Sequence, residues 1–389
     1  LLTREYPPEV YGGAGVHVGE LVRELRKSID VVVRCFGAER LEENVYPYLV
    51  PPQLVGANPA IAALGVDLQM AQDTSGADVV HSHTWYANGA GRLAQLLYDI
   101  PHVVTAHSLE PLRPWKADQL GGGYRISREI ESAAFHSANA VIAVSEGMRN
   151  DIVRCYPKLD ESKISVVHNG IDLARWRPAR NEDAARELGI DPSRPAVVFV
   201  GRITRQKGLP YLLQAAKALP PEVQLVLCAS SPDTPEILAE VEGLVSSLSQ
   251  ERSGVVWLNR LVNHEEMLTV LSSATLFVCP SIYEPLGIVN LEAMACGIPV
   301  VGTATGGIPE VVVDGVTGRL VSIDQVDDGS GTPTKPEDFV AELGATMIDV
   351  LSDPVRARMM GQAGRARVEQ EFGWDQIARD TRAVYNSLV

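Results

Sequence analysis

Short runs rich in valine and isoleucine alternate with longer amphipathic stretches from one end of the chain to the other. The first half contributes IDVVVRCF, ADVVHSH, IPHVVTAH, NAVIAVS and KISVVHNG, and the second PAVVFVG, VQLVLCAS, VVWLN, TLFVCPS and IPVVGTA. The runs are continuously apolar, the pattern of parallel strands covered on both faces by helices. Two such series predict an α/β protein with two doubly wound domains facing each other across a cleft, not one eight-fold barrel. The character of the chain changes over residues 168–195. There VHNGIDLARWRP leads into a charged helix and then Asp191-Pro192-Ser193-Arg194-Pro195, the candidate linker. The opening Leu1-Leu2-Thr3 reads as the tail of a first strand whose start, with any initiator Met, precedes this numbering. One low-complexity segment, DQVDDGSGTPTKPED over 324–338, reads as a polar loop.

Ligands of open α/β sheets sit outside the carboxyl ends of the strands, so the strand exits carry the information about function. The most telling is YEPLGIVNLEAMACGIP, Tyr283 to Pro299. It follows TLFVCPS and predicts a short helix that stops at Gly297, ahead of Pro299. Gly287 sits where the chain turns into that helix. The N–H groups of Gly287, Ile288 and Val289 are therefore expected to point at whatever docks there, and a helix N-terminus favours an anion. Glu284 and Glu292 bracket the turn. Each carboxylate can accept hydrogen bonds from paired hydroxyls, one pair on a sugar and the other on a ribose. The plain alternative is a buried strand–helix unit whose two glutamates face solvent.

A length of 389 residues suits two cores. No apolar run reaches membrane-spanning length, and nothing resembles a signal peptide. The net charge of −15 argues against nucleic acid or an anionic membrane as a partner, so an anionic ligand must be held by local cations. The cysteines, Cys35, Cys155, Cys228, Cys279 and Cys296, are odd in number and widely spaced, with no C-x-x-C. Reduced, buried thiols in a cytoplasmic protein are expected, and no zinc site.

In the first half, YPPEVYGGAGVHVGEL places Gly12, Gly13 and Gly15 ahead of a helix expected to begin near Val16. Glycines there let the backbone approach a phosphate or sugar closely. The spacing fails the dinucleotide fingerprint, which disfavours a nicotinamide enzyme. The next exits carry His81-Ser82-His83-Thr84-Trp85-Tyr86 and Thr105-Ala106-His107-Ser108. His81 and His83 share one strand face, but no third His, Cys or carboxylate lies near them, so each is read as a buried, hydrogen-bonded histidine and no metal is expected. His107 ends its strand, well placed to touch a sugar, with Tyr86 and Ser108 as further acceptor-side candidates. Downstream, EPLRPWKADQLGGGYRISR is the densest basic-aromatic segment of the chain. It sets Arg113, Lys116, Arg125 and Arg128 with Trp115 and Tyr124 around a flexible Gly121-Gly122-Gly123. It reads as an acceptor loop, or as a solvated surface loop with a glycine hinge.

In the second half, GRITRQKG follows PAVVFV directly. Arg202 and Lys207 are thereby expected opposite the helix at Ile288, where two fixed cations and helix amides can neutralise a diphosphate leaving group without a metal. The chain has no Asp-x-Asp pair and no Walker loop. A further glycine turn, Ala304 to Glu310, follows IPVVGT. A nucleotide base is expected in the loop after VVWLN, at Arg260, Leu261 and Val262 up to Asn263, held through backbone atoms.

With YGGAGVHV, HSHTW, TAHSLEPLRPW, AVIAVSEGM, VVHNGID, VGRITRQKG, YEPLGIVNLEAMACGIPVV and GGIPEVVVDGVTG in this order, the whole chain resembles the retaining GT-B glycosyltransferases of family 4. TREYPPEVYGGAGVHV together with AHSLEPLRPWKADQLGGGYRIS looks most like the bacterial glycogen synthases of that family that also make maltose 1-phosphate from ADP-glucose. The Lys-Thr-Gly-Gly-Leu opening of the other bacterial type is absent, with Val10-Tyr11-Gly12-Gly13-Ala14 in its place.

The resemblance implies a GT-B fold of two Rossmann-like domains, 1–170 and 171–374, with a last helix over 375–389 returning to the first. It implies Arg202 and Lys207 on the donor diphosphate, Glu284 and the amides of Gly287, Ile288 and Val289 on the transferred glucose, and Glu292 on the ribose. Gly12 and Gly13 would approach the phosphate from the other domain, and His107 would lie beside the anomeric carbon. Such enzymes retain anomeric configuration, the leaving phosphate helping to deprotonate the acceptor.

The activity expected is glucosyl transfer from ADP-glucose to glucose 1-phosphate, or to an α-1,4-glucan in glycogen synthesis, with no metal or other cofactor. Alternatives are the same fold acting with a UDP- or GDP-sugar on another small-molecule or lipid acceptor, a sugar-nucleotide 2-epimerase, and a non-enzymatic sugar-nucleotide sensor. PPQLVGANPAIAALGVDLQMAQD carries no Lys or Arg, which counts against a phospholipid acceptor. Oligomeric state is left open, a homodimer included.

Overall fold

The computed structural model describes residues 1–10 and 12–389, so Tyr11 of the first glycine turn lies outside the described residues. The chain divides into two compact units, Leu1–Gly170 with Trp374–Val389, and Ile171–Gly373. Ile171 N–H donates to the Phe372 carbonyl at 2.8 Å, so within the second unit the incoming and outgoing chains run side by side.

The first unit is built on β1 (Leu2–Thr3), β2 (Val33–Phe36), β3 (Val45–Tyr48), β4 (Val80–His83), β5 (His102–Ala106), β6 (Ala140–Ala143) and β7 (Ile164–Val166). They form one parallel sheet in the order β3-β2-β1-β4-β5-β6-β7. One cluster gathers Val18, Leu21, Val33, Val103 and Ile142 with Trp374 and Ile377. Another gathers Leu2, Val66, Met70, Val80 and Ala90. Clusters on both faces explain the unbroken apolar runs, since each buried Val, Ile or Leu side chain contributes about 1.5–3 kcal/mol by leaving water.

The second unit is built on β8 (Ala196–Arg202), β9 (Gln224–Ser230), β10 (Val255–Trp257), β11 (Leu276–Cys279), β12 (Val300–Thr303) and β13 (Gly318–Val321). Its parallel sheet runs β10-β9-β8-β11-β12-β13. Strands β8 and β9 pair without a break from Ala196–Gln224 to Arg202–Ser230, which puts Arg202 at the very end of its strand. In each sheet the chain order reverses once beside the first strand of the unit, at β1/β4 and at β8/β11. Such reversal points leave a crevice between diverging loops at the carboxyl ends, where ligands of these folds bind.

The ten apolar runs all become strands. The edge strands β3 and β13 were not predicted, because an edge strand needs no continuous apolar run. Two local expectations also fail. The first helix spans Gly13–Leu25 and not a start near Val16, because Gly13, Ala14 and Gly15 form its first turn. The basic-aromatic segment is not a flexible loop. It folds into helices Lys116–Leu120 and Gly123–Ser137, and only Gly121, with φ +52°, breaks between them. Asn58 fixes this joint, donating from its amide to the Leu120 carbonyl at 3.1 Å.

Candidate active site

In the second unit, β8 ends in Arg202, and the chain turns through Arg205–Lys207 into the helix Leu209–Ala215. The turn closes on Gly208, whose φ is +65° and whose Cα lies against the Pro280 carbonyl, where a Cβ would collide. That close approach carries Lys207 across the β8/β11 reversal. Its ammonium donates to Oε2 of Glu284 at 2.6 Å. The Ser281 hydroxyl donates to the same oxygen at 2.9 Å. Glu284 is 5% exposed, so its carboxylate is a nearly buried charge held by one cation and one hydroxyl. The turn after β12 grips its backbone: Gly307 N–H donates to the Glu284 carbonyl at 3.0 Å, and Gly306 packs where any side chain would strike that carbonyl.

The helix that follows runs Ile288–Ala295 from an N-cap at Gly287, φ +88°. The N–H groups of Ile288 and Val289 lie in its first turn, which no intrahelical carbonyl reaches. Glu292 stands one turn further on, half-buried. Burial pushes its carboxyl up to about 7, and the nearby Arg175 guanidinium works in the opposite direction.

Arg202 does not join Lys207 on Glu284. Its guanidinium pairs with Asp233, in the loop after β9, at 3.2 Å. Of the two expected cations, one therefore leans toward β11 and the other toward β9. Arg260 is committed elsewhere too: both its terminal nitrogens donate to Glu266, at 2.8 and 2.7 Å, beside the capping box that Asn263 and Glu266 make on the helix His264–Ser273. Leu261, next to it, is 79% exposed at the exit of β10, while Val262 is half-buried.

In the first unit the helix Gly13–Leu25 begins with its first glycine turn already occupied. Gly12 N–H donates to the Glu5 carboxylate at 2.8 Å. Four histidines crowd the exits of β4 and β5 and the adjoining helix. Nδ1 of His83 stands 3.0 Å from Nε2 of His107. The His81 ring is bracketed by the Tyr385 hydroxyl and the Thr105 hydroxyl, each at 2.6 Å. His17 lies edge-on to His107, centroids 4.8 Å apart, and Trp374 lies edge-on to His17 at 5.4 Å. Burial holds the imidazoles of His81, His83 and His107 well below their usual range and puts His17 at about 4, with Asn169 working against that drop. All four are neutral near pH 7.

The expectation that no third His lies near His81 and His83 is wrong, because the fold gathers two more around His83, while His81 itself stays outside the group. His17, His83 and His107 each bring a ring nitrogen to within 4.8 Å of the others, an arrangement able to hold a metal ion. The sequence hides this because His17 belongs to a helix and His107 follows another strand, β5.

The acceptor-side candidates sit on the same exits. Arg113 donates to the Ser108 hydroxyl at 3.1 Å, beside His107. Lys116, nearly buried, holds its ammonium 6.0 Å from the Tyr86 ring centre. Tyr124 donates its hydroxyl to the Glu110 carbonyl at 2.6 Å and so serves the backbone of the segment. Arg125 and Arg128 are exposed, and the Arg128 guanidinium lies 5.9 Å from the centre of the Tyr124 ring. Sequence reasoning missed Glu5, His17, Asp233 and Ser281. Ser281 was within reach, as the residue that closes the run TLFVCPS.

Two Rossmann-like units, each a parallel sheet whose strand order reverses once, have the architecture of the GT-B fold. Residues 11–175 match the model of Glycosyltransferase Family 4, and residues 180–367 match that of Glycosyl transferases group 1. The chain belongs to this family. Over 391 aligned residues it is 54% identical to the alpha-maltose-1-phosphate synthase of Mycolicibacterium smegmatis, covering 100% of this chain and 98% of that protein. It is 32% identical to the glycogen synthase of Mycobacterium tuberculosis, over 99% and 93% of the two chains. The sucrose-phosphate synthase of Thermosynechococcus elongatus shares the fold with a TM-score of 0.79 at 24% identity, over 100% and 98% of the chains. No helix among the described residues is long and apolar enough to cross a membrane.

Proposed function

We propose that the chain transfers an α-glucosyl unit from ADP-glucose to glucose 1-phosphate, forming maltose 1-phosphate for α-glucan (glycogen) synthesis in the cytoplasm. The observation that carries the reading is the full-length 54% identity to an alpha-maltose-1-phosphate synthase. A cytoplasmic setting agrees with five cysteines that are all free thiols.

A hydroxyl of the acceptor glucose attacks C1 of the donor glucose, the bond from C1 to the β-phosphate oxygen breaks, ADP departs, and the hydroxyl proton passes to the leaving phosphate. The configuration at C1 is retained. Lys207 and the amides of Ile288 and Val289 meet the charge that develops on the diphosphate, with Arg202 at its flank. Glu284 accepts hydrogen bonds from the transferred glucose, and Glu292 from the ribose. Adenine rests on the loop at Leu261, held by backbone groups and not by Arg260, whose guanidinium Glu266 already holds. On the acceptor side, His107, Ser108, Arg113, Lys116 and Tyr86 receive glucose 1-phosphate. Protein cations take up the charge, so no metal enters the reaction.

Nucleotide release measured with ADP-, UDP- and GDP-glucose, with and without glucose 1-phosphate, tests this. Acceptor-dependent release of ADP and an α-linked disaccharide phosphate are expected. No release with ADP-glucose and either glucose 1-phosphate or glycogen overturns the assignment, and loss of activity to a chelator, restored by magnesium, overturns the metal-free mechanism.

A further inference from the structure

We propose that Asn290 is a positioning residue of the donor site: its side-chain amide takes over the Glu284 carboxylate when the diphosphate draws Lys207 away. The inference rests on the reading that Lys207 and the helix beginning at Ile288 receive the diphosphate of a sugar nucleotide, and adds the group that lets Lys207 leave.

Asn290 is the third residue of the helix Ile288–Ala295, whose N-cap is Gly287. It is fully buried, yet among the described residues neither its Nδ2 nor its Oδ1 has a hydrogen-bond partner. An amide taken out of water with nothing to bond is destabilising, and native folds keep very few such groups. The helix His264–Ser273 shows the ordinary use of the same position. There Glu266 reaches back to the N-cap and closes a capping box with Asn263. Asn290 closes none.

The unpartnered amide lies where a donor is about to be needed. Gly287 leaves a gap that a side chain would fill, and Nδ2 of Asn290 stands 2.6 Å from the position a Cβ there would take. Cγ of Glu284 stands 3.1 Å from the same point. The amide is thus packed beside the stem of the glutamate, and a change of side-chain torsion turns its NH2 onto the carboxylate. In the free protein that carboxylate is held through Oε2, by Lys207 at 2.6 Å and Ser281 at 2.9 Å. A diphosphate arriving at Ile288 competes for the Lys207 ammonium. A nearly buried carboxylate stripped of its cation is costly, and that cost opposes donor binding. Asn290 offsets it: the amide donates to Glu284 as the ammonium turns to the phosphate. An apolar side chain at this position has nothing to donate.

Asn290→Leu keeps the size of the side chain and removes the amide. Calorimetric titration with ADP and thermal unfolding of the free protein are read together. ADP is expected to bind roughly 10-fold or more weakly, the fold-change of one hydrogen bond to a charged group, and the KM for ADP-glucose to rise with it. The melting temperature of the free variant is expected to stay level or rise, because the unpartnered amide is gone. In a Lys207→Met background the sign reverses. There the amide already holds Glu284 in the free protein, so Asn290→Leu should lower the melting temperature. Asn290→Ala serves if the leucine variant fails to fold, and is read by the same difference, a larger loss of melting temperature in the Lys207→Met background than in the wild-type one. Wild type that binds no ADP removes the donor-site reading on which the proposal stands. Wild type that binds ADP, with a folded variant of equal affinity or one whose melting temperature falls equally in both backgrounds, overturns the role of Asn290 itself.

Discussion

Nδ1 of His83 faces Nε2 of His107 across 3.0 Å, the two rings 29° from parallel. Among the described residues, Nε2 of His83 is buried with no partner. A buried N–H left unpaired is rarer and costlier than an unpaired acceptor. His83 therefore carries its proton on Nδ1 and donates it to His107. Neutral His107 must then carry its own proton on Nδ1, which would make it a donor toward the proposed sugar. Replacing His83 with Leu removes the bond that sets this tautomer, and kcat should fall about tenfold, the equivalent of one hydrogen bond. His83→Gln, which can still donate, should retain more of it. Equal activity of both variants and wild type would show that the contact does no positioning.

Among the described residues, Lys207 is the cation that pairs with the nearly buried Glu284 carboxylate. Lys207→Met leaves that charge with the Ser281 hydroxyl and takes a positive charge from the proposed diphosphate site. Removing one such transition-state stabiliser costs about 2.7–4 kcal/mol, so kcat/KM for the donor should drop roughly 10²- to 10³-fold. Lys207→Arg should recover only part, since the planar fork does not reproduce a point charge at 2.6 Å. Steady-state kinetics with the acceptor saturating reads both.

Gly208 makes that pair reachable. Gly208→Ala must hold a positive φ and push a methyl into the Pro280 carbonyl. The backbone term alone is about 1–2 kcal/mol. The expected outcome is a lower melting temperature together with weaker binding of ADP, measured by calorimetry. Full ADP affinity in a folded variant would show that Lys207 reaches Glu284 by another route.

The sheets were legible because a strand buried on both faces must be apolar throughout, and the glutamate–helix unit because Gly287 and Gly297 punctuate it. Lys207 and Glu284 were readable as individual charges at two strand exits, and the strand order brings them together. What stayed hidden depends on partners distant in sequence. Arg202 cannot be seen to prefer Asp233, nor Gly12 to be capped by Glu5, from the order of residues alone. The histidine cluster joins one helix and two strands, and Tyr385 of the last helix closes on His81 from 304 residues away. The glycine-rich basic-aromatic segment misled because Gly123 is needed for packing against Asn58, not for mobility.

The basic-aromatic segment hangs on two buried carboxyls, Glu110 and Glu131. Glu131 accepts from the Glu110 backbone N–H at 2.8 Å and from the Tyr156 hydroxyl. Burial first, then the charge of Glu110, raises the Glu131 carboxyl to about 8, while Tyr156, the Glu110 amide and Arg113 pull it back. A carboxyl raised above its unfolded value stabilises the fold fully below about 4.3 and loses that contribution as pH climbs through about 8. Thermal unfolding should show a melting temperature that falls from pH 6 to pH 9. Glu131→Gln, neutral throughout, should flatten the fall and melt higher than wild type at pH 9. A parallel decline in both proteins would place the titrating group elsewhere.

Glu292 gives a second pH dependence, and it acts on the donor. Its carboxyl is raised to about 7 by burial against the counter-pull of Arg175, so the free enzyme holds it partly protonated at neutral pH. An ionised carboxylate is the stronger acceptor for ribose hydroxyls, and binding the nucleotide should draw the carboxyl down and release a proton. The KM for ADP-glucose is expected to rise as pH drops below about 7, with kcat less affected. Calorimetric titration with ADP in buffers of different ionisation enthalpy should register the released proton. Glu292→Gln should bind the donor more weakly at pH 8, with no proton release and no slope in KM between pH 6 and 8. Stability runs in the opposite sense, since the raised carboxyl stabilises below its unfolded value and loses that contribution through about 7. The same substitution should therefore raise the melting temperature at pH 8 while impairing catalysis. A variant that keeps the KM slope of wild type would assign the ribose to a different residue.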